Sequence, residues 1–182
     1  FYPGSDWRML IMDCRCGIFV FRSVILRSAK GYRSGIDVTE MAIMEELVRL
    51  LKKNKLTIGS CESLTAGLFT SMIARVSGAS AVLRGGIVSY HTDVKRDVVH
   101  VDTRIIEEKG VVSEACARAM AENARKLLGA DLCVSFTGNA GPSCMENEPA
   151  GSVYCALATA AHTYAFHFQI NHAQRNEVRQ QV

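Results

Sequence analysis

The segment GSCESLTAGLFTSMIARVSG, residues 59–78, gathers serines, a cysteine, a glutamate and a threonine between an apolar strand and an apolar helix. A plain turn needs one glycine and one cap, so this corner carries more polar groups than geometry alone requires. Ser63 stands where a following helix, expected from Thr65, would aim its unpaired N–H groups, a position suited to a nucleophile or an anion. On spacing alone, Ser63 or Thr65 reads equally well as an N-cap. A second corner holds YHTDVK, with Tyr90 at a strand end and Lys95 five residues on. A desolvated lysine loses its proton closer to neutral pH and becomes a general base, and a tyrosine can relay a proton. The same pair equally describes a solvated lysine and a packing tyrosine. The third corner, TGNAGPSCMENEPAGS, carries Gly138, Gly141 and Gly151, which would let backbone amides approach a ligand; it has no Walker lysine and no GxGxxG.

Such corners act together only if strands bring them to one edge. The pattern predicts a helix from Asp37, capped by Thr39, with Ile43, Leu47, Leu50 and Leu51 on its apolar stripe. A buried strand over 56–60 follows, then a helix over 65–75 with Leu64, Leu68 and Met72 on one face, and a strand over 85–90. Helical turns are expected over 93–100 and 102–110. The clearest helix starts after Ser113, turns Cys116, Met120, Ala124 and Leu127 inward, and stops at Gly129. A strand over 132–138, a loop, a hairpin of two strands over 151–170 and a final helix at 174–182, read as incomplete, close the chain. Helices alternating with near-continuously apolar strands predict an α/β fold, a three-layer α/β/α sandwich with a mixed, mostly parallel sheet. In such sheets the carboxyl ends of the strands carry the ligand site, and all three corners follow strand ends.

Composition narrows the function classes. The chain has 182 residues, 48% of them hydrophobic, which is enough for one well-cored domain. Its 21 Lys+Arg nearly balance 18 Asp+Glu, giving a net charge of +3, and no basic tract appears. With aromatics at 7%, neither an electrostatic nor a base-stacking footprint for nucleic acid is present. The apolar run Leu10–Leu26 is broken by Asp13, Arg15, Gly17 and Arg22, so no membrane span is expected. Seven cysteines, without a CxxC pair matched by a second, read as free thiols of a cytoplasmic protein and not as a zinc site; no metal and no cofactor are expected. Residues 1–37 have neither helical face nor alternation and read as a leader outside the core, vector-encoded or translated from upstream, with an added strand near 17–26 as the competing reading. Residues 38–182 read as one domain.

Taken in order and spacing, CESLTAGL, GASAVLRGGIVSYHTDVK, GVVSEACARAMAENARKLLGAD, TGNAGP and AGSVY resemble the C-terminal domain of the CinA competence/damage-inducible family, whose enzymatic members are nicotinamide mononucleotide deamidases. The resemblance covers roughly residues 41–182. It implies the α/β/α sandwich, a homo-oligomer, and hydrolysis of the carboxamide of nicotinamide mononucleotide to nicotinic acid mononucleotide and ammonia. By motif match it puts a Ser–Tyr–Lys catalytic group on Ser63, Tyr90 and Lys95, with an oxyanion site at the Leu64 and Thr65 amides. The nucleotide phosphate would lie against Thr137, Gly138 and Gly141, aided by Arg175, Arg179 or Arg84, while Glu62 would either orient the lysine or cap the corner. The chain departs from the family pattern where ESCTGG reads ESLTAG, with Leu64 and Ala66, where YSNEAK reads YHTDVK, and where Asn139 takes an apolar position. A CinA-like nucleotide-binding or regulatory module without catalysis is the alternative.

Overall fold

The computed structural model describes the backbone from residue 36 and side chains from residue 41 onward, His172 excepted; the reading of residues 1–35, with Cys14 and Cys16, lies outside the described residues. The elements are α1 (Ile36–Asn54), β1 (Ile58–Glu62), α2 (Leu68–Ala74), β2 (Leu83–Val88), α3 (Thr92–Asp97), α4 (Thr103–Lys109), α5 (Glu114–Leu128), β3 (Leu132–Gly138), β4 (Ser152–Ala158), β5 (Thr163–Gln169) and α6 (Arg175–Gln181). The five strands form one sheet in the order β2-β1-β3-β4-β5. β1 is parallel to both β2 and β3, while β4 is antiparallel to β3 and to β5. Four of the five strands therefore run one way, and the terminal hairpin supplies the reversed one. This is the expected mixed, mostly parallel α/β sheet.

Strand alternation decides what each face buries. Ile58, Val134, Phe136, Val153, Cys155 and Leu157 meet Leu47, Val48 and Leu51 of α1, Phe69 and Ile73 of α2, and Val178 of α6. Cys61 and Cys133 point the other way and pack with Cys116, Met120 and Ala124 of α5 and with Val99, Val101, Val111 and Val112. The alanines 117, 121, 156 and 158 bring α5 close to β4. Helices thus cover both faces, giving the three layers. β1 lies between β2 and β3 with all five residues buried. It reaches β2 through α2 on one face, and β2 reaches β3 through α3–α5 on the other. The carboxyl ends of β1, β2 and β3 therefore share one edge, where this fold class opens its ligand site.

Three local expectations are corrected. The helix after β1 begins at Leu68, not Thr65, because Ala66 (φ 52°) and Gly67 (φ 92°) adopt left-handed backbone and hold residues 64–67 in a turn. Its buried face is accordingly Phe69 and Ile73, not Leu68 and Met72. On α5, Leu127 is exposed, and Ala117 and Ala121 fill the face beside Cys116 and Met120. Thr39 lies inside α1, which runs from Ile36, so it is not the N-cap. By contrast, Ser113 caps α5 through a bond from the Cys116 amide, and Gly129 ends it at φ 58°.

Gly86 on β2 has a packing reason. A Cβ there would collide with Thr70 Oγ1 and Ser60 Oγ, the two hydroxyls sandwiched between α2 and the sheet. Those hydroxyl oxygens lie 2.6 Å apart and both donate to the buried Glu62 carboxylate, so they have no freedom to retreat. Gly86→Ala should lower the unfolding free energy by about 1–3 kcal/mol, read as a reduced midpoint in urea at unchanged slope.

Candidate active site

The corner after β1 is built around Glu62. Its side chain is fully buried, and its two oxygens accept five hydrogen bonds. Oε2 takes the amides of Gly67 (2.8 Å) and Phe69 (3.2 Å). Oε1 takes the Thr70 amide (2.9 Å), Thr70 Oγ1 (2.6 Å) and Ser60 Oγ (3.0 Å). A carboxylate at a helix start satisfies orphan N–H groups and is favoured by the helix dipole. Glu62 thus caps α2 and has no hydrogen bond to Lys95. The amides at the start of α2 are spent, those of Gly67, Phe69 and Thr70 on Glu62 and that of Leu68 on Thr65 O.

Upstream of that cap, Ser63 is held by its own amide on Phe136 O (2.9 Å) and by the Ala66 amide on its carbonyl (3.1 Å). Its side chain meets Lys95, whose Nζ lies 2.9 Å from Ser63 Oγ, 2.7 Å from Ser89 O and 3.4 Å from Tyr90 O. Lys95 is only 1% exposed. It has no ion-pair partner among the described residues, and burial pushes its ammonium below the usual lysine range. The nearby thiols do not offset this: burial pushes Cys61 up to about 11 and Cys116 up to about 12, so both stay neutral at physiological pH. Two backbone carbonyls thus orient two N–H bonds of Lys95, and the third direction of the nitrogen faces the Ser63 hydroxyl. This arrangement can exchange a proton between amine and hydroxyl.

Tyr90 behaves differently. Its carbonyl accepts from Lys95; the residue is 54% exposed, and the phenol oxygen accepts a bond from Arg175 Nη2. The phenol makes no hydrogen bond to Ser63 or Lys95. Arg175 also donates from Nη1 to Gly141 O at 2.8 Å, so one guanidinium joins the second and third corners. Arg179, one helical turn further, donates to Leu64 O (2.9 Å) and Thr65 O (3.2 Å), tying α6 to the first corner. Neither arginine has a carboxylate partner among the described residues.

The remaining expected groups divide. The amides of Leu64 and Thr65 have no acceptor among the described residues. Thr65 Oγ1 is buried and unpartnered too, the single such side-chain atom among the described residues, in a side chain 2% exposed. Three donors beside Ser63 are therefore unspent. Arg84 lies at the opposite end of β2, with Nε on Leu128 O, away from this edge. Thr137 turns its hydroxyl to Val111 O at 2.6 Å, toward α5. Gly138 is required by β4, because a Cβ there would press on Ser152 O and the Val153 backbone. The Gly141 amide is consumed by Asn139 Oδ1 at 2.8 Å. The glycine corner is therefore no ready phosphate cradle.

Two contributors escape a reading by motif. Asn139, visible only as a departure from pattern, organises the third corner: it also donates to Ser143 O (2.7 Å) and Glu148 O (3.1 Å). Ser89 acts through its main-chain carbonyl, which side-chain chemistry cannot announce; the residue is fully buried, with Oγ 3.5 Å from Cys61 Sγ.

Comparison with known proteins agrees with this architecture. The family model described as the CinA C-terminal domain matches residues 40–182. A competence-damage inducible protein of Listeria welshimeri is 41% identical over 146 residues, which is 78% of this chain and 35% of that protein. One from Bacillus anthracis is 42% identical over 135 residues, 74% of this chain and 32% of that protein. The chain thus spans about a third of the length of these relatives. Among solved structures, the competence/damage inducible protein of Agrobacterium tumefaciens superposes with a TM-score of 0.76 at 27% identity, over 81% of this chain and 91% of that one. The competence damage-inducible protein A of Klebsiella pneumoniae gives 0.75 at 25%, over 78% and 88%.

The unpartnered Thr65 hydroxyl has a measurable cost. An unsatisfied buried hydroxyl costs about 1–3 kcal/mol, and an apolar isostere removes that cost. Thr65→Val should leave the unfolding free energy unchanged or raise it by about 1 kcal/mol. A clear drop in the midpoint of thermal unfolding would mean that the hydroxyl has a partner in the folded protein.

Proposed function

We propose, from the premise that the chain belongs to the CinA C-terminal domain family, that it is an amidohydrolase acting on the carboxamide of nicotinamide mononucleotide and releasing ammonia. The observation that carries this reading is the buried Lys95 amine 2.9 Å from Ser63 Oγ, with no ion-pair partner among the described residues. A lysine that needed only to be charged would be better served at the surface or beside an acid.

The chemistry follows from that pair. Neutral Lys95 takes the proton of Ser63 Oγ as the oxygen bonds to the carboxamide carbon, whose oxygen becomes an oxyanion. The unspent amides of Leu64 and Thr65 and the Thr65 hydroxyl are the candidate donors to that oxygen; one such donor is typically worth about 3 kcal/mol. As the C–N bond breaks, the proton returns from Lys95, directly or through Tyr90, to the departing nitrogen, which leaves as ammonia. Water then attacks the acyl-enzyme, giving its proton to Lys95. As the bond to Ser63 Oγ breaks, that proton passes from Lys95 to the oxygen, restoring the hydroxyl and the neutral amine, and the acid product leaves. No step is routed through a metal or cofactor. Arg175 and Arg179, without a carboxylate partner among the described residues, are the candidates for the substrate phosphate. Whole-length relatives extend well beyond this domain, so the activity proposed is that of the domain.

The alternative, a non-catalytic module that binds a nucleotide, draws on one observation: the Tyr90 phenol is turned to Arg175 instead of to the pair. Ammonia release separates the two. Ser63→Ala should reduce release from nicotinamide mononucleotide to background while the thermal unfolding midpoint stays near the wild-type value. Binding of the nucleotide without any wild-type release would support the module.

The pH profile carries its own sign. Burial lowers the Lys95 pKa, with Cys61 and Cys116 neutral and the charge of Glu146 opposing the shift. The free base is the competent form, so kcat/KM should rise with pH and level off above an apparent pKa below 10.5. A profile flat from acid to alkaline pH would remove Lys95 as the base.

A further inference from the structure

Arg175 is held by two neutral oxygens. Its Nη1 donates to Gly141 O and its Nη2 to the Tyr90 phenol, and no carboxylate shares the guanidinium among the described residues. Charge-assisted bonds to an anion are about twice as strong as bonds to a neutral oxygen, and the arginine fork fits a phosphate bidentately. A phosphate monoester arriving here therefore outcompetes the phenol. Arg179 is less available, because its Nε and Nη2 already support the carbonyls of Leu64 and Thr65 beside the nucleophile.

We propose that Arg175 is a specificity-determining residue that exchanges the Tyr90 phenol for the anionic group of the substrate, so that recognition of the phosphate releases the phenol toward Ser63 and Lys95. The inference rests on the hydrolytic reading above for its consequence, but the exchange itself is a binding event. Tyr90 is suited to it. Its carbonyl is anchored 3.4 Å from Lys95 Nζ, while the residue as a whole is more than half exposed. The ring therefore swings from a pivot already beside the amine. Without an anion, the phenol stays on Arg175 and is withheld from the reacting atoms. Discrimination against a phosphate-free amide then falls on kcat as well as on KM. A guanidinium that merely binds phosphate would alter KM alone.

The test separates exchange from hydrolysis. Fluorine NMR of protein labelled with 3-fluorotyrosine, with the Tyr90 resonance assigned through Tyr90→Phe, is followed during titration with inorganic phosphate. The expected result is a saturable shift of the Tyr90 resonance in the wild-type protein and none in Arg175→Met. In parallel, inorganic phosphate should raise kcat for the phosphate-free riboside amide by about tenfold in wild type and leave it unchanged in Arg175→Met. A Tyr90 resonance indifferent to saturating phosphate overturns the exchange, whether or not the nucleotide is hydrolysed. A shifting resonance in a protein that releases no ammonia keeps the exchange and removes the hydrolytic reading. The wild-type titration stands on its own if Arg175→Met does not fold.

Discussion

The buried carboxylate of Glu62 sets the geometry on which the site depends. Five donors converge on it, from both ends of the β1–α2 corner. A buried carboxyl group is tolerable in the interior only when its oxygens are hydrogen-bonded in this way. The requirement pulls the first amides of α2 toward the end of β1, delays the helix to Leu68, and leaves residues 63–67 as a turn over the carboxylate. Ser63 is the first residue of that turn. Its position is fixed from below by the clamp and from the side by Phe136 O on β3. Gly86 belongs to the same constraint, because the hydroxyls of the clamp occupy the space where a β2 side chain would stand.

Against that saturated network, the groups around Ser63 stand out for being unsaturated. Lys95 is buried with carbonyls and a hydroxyl instead of an acid, Thr65 has a hydroxyl with no partner, and two arginines spend their charge on neutral oxygens. Each costs the fold something that a well-packed apolar or paired residue would not. They lie at the shared carboxyl edge of β1, β2 and β3, and such concentrations of incompletely paired polar groups accompany functional sites more often than structural ones.

Much of the frame was legible because its signals are local. The Ser113 cap and Gly129 stop bound α5 through bonds made within one helical turn, and the run LCVSFTG coincides with β3 because nothing in it favours another period. The errors arose where distant groups overrode a local preference. Residues 65–67 look helical in isolation, but the Glu62 carboxylate and the left-handed Ala66 and Gly67 shift the start. Leu127 fits a helical stripe, yet the alanines that pack on β4 rotate α5 so that it faces out. At the site, the types of Ser63 and Lys95 were readable, and their 2.9 Å separation was not, since it depends on a crossover of 32 residues. Arg84 sits at the amino end of β2, whereas the site lies at the carboxyl edge, so the strand direction already argued against it. The role of the Ser89 carbonyl has no signature in residue type at all.

Helix α6 explains why the three corners act as one edge. Its arginines are four residues apart, hence on one face one turn apart, and each reaches a different corner. Arg179 takes Leu64 O and Thr65 O, while Arg175 takes Gly141 O and the Tyr90 phenol. Val178 between them is buried in the core, which fixes the rotation of the helix about its axis. The capping box of Gln174 and Glu177 fixes where the helix begins. A seven-residue helix has too few internal bonds to be stable alone, so these contacts define it as much as it defines them. The two guanidinium groups on this one helix therefore tie all three corners to each other, and the buried Val178 holds both in place.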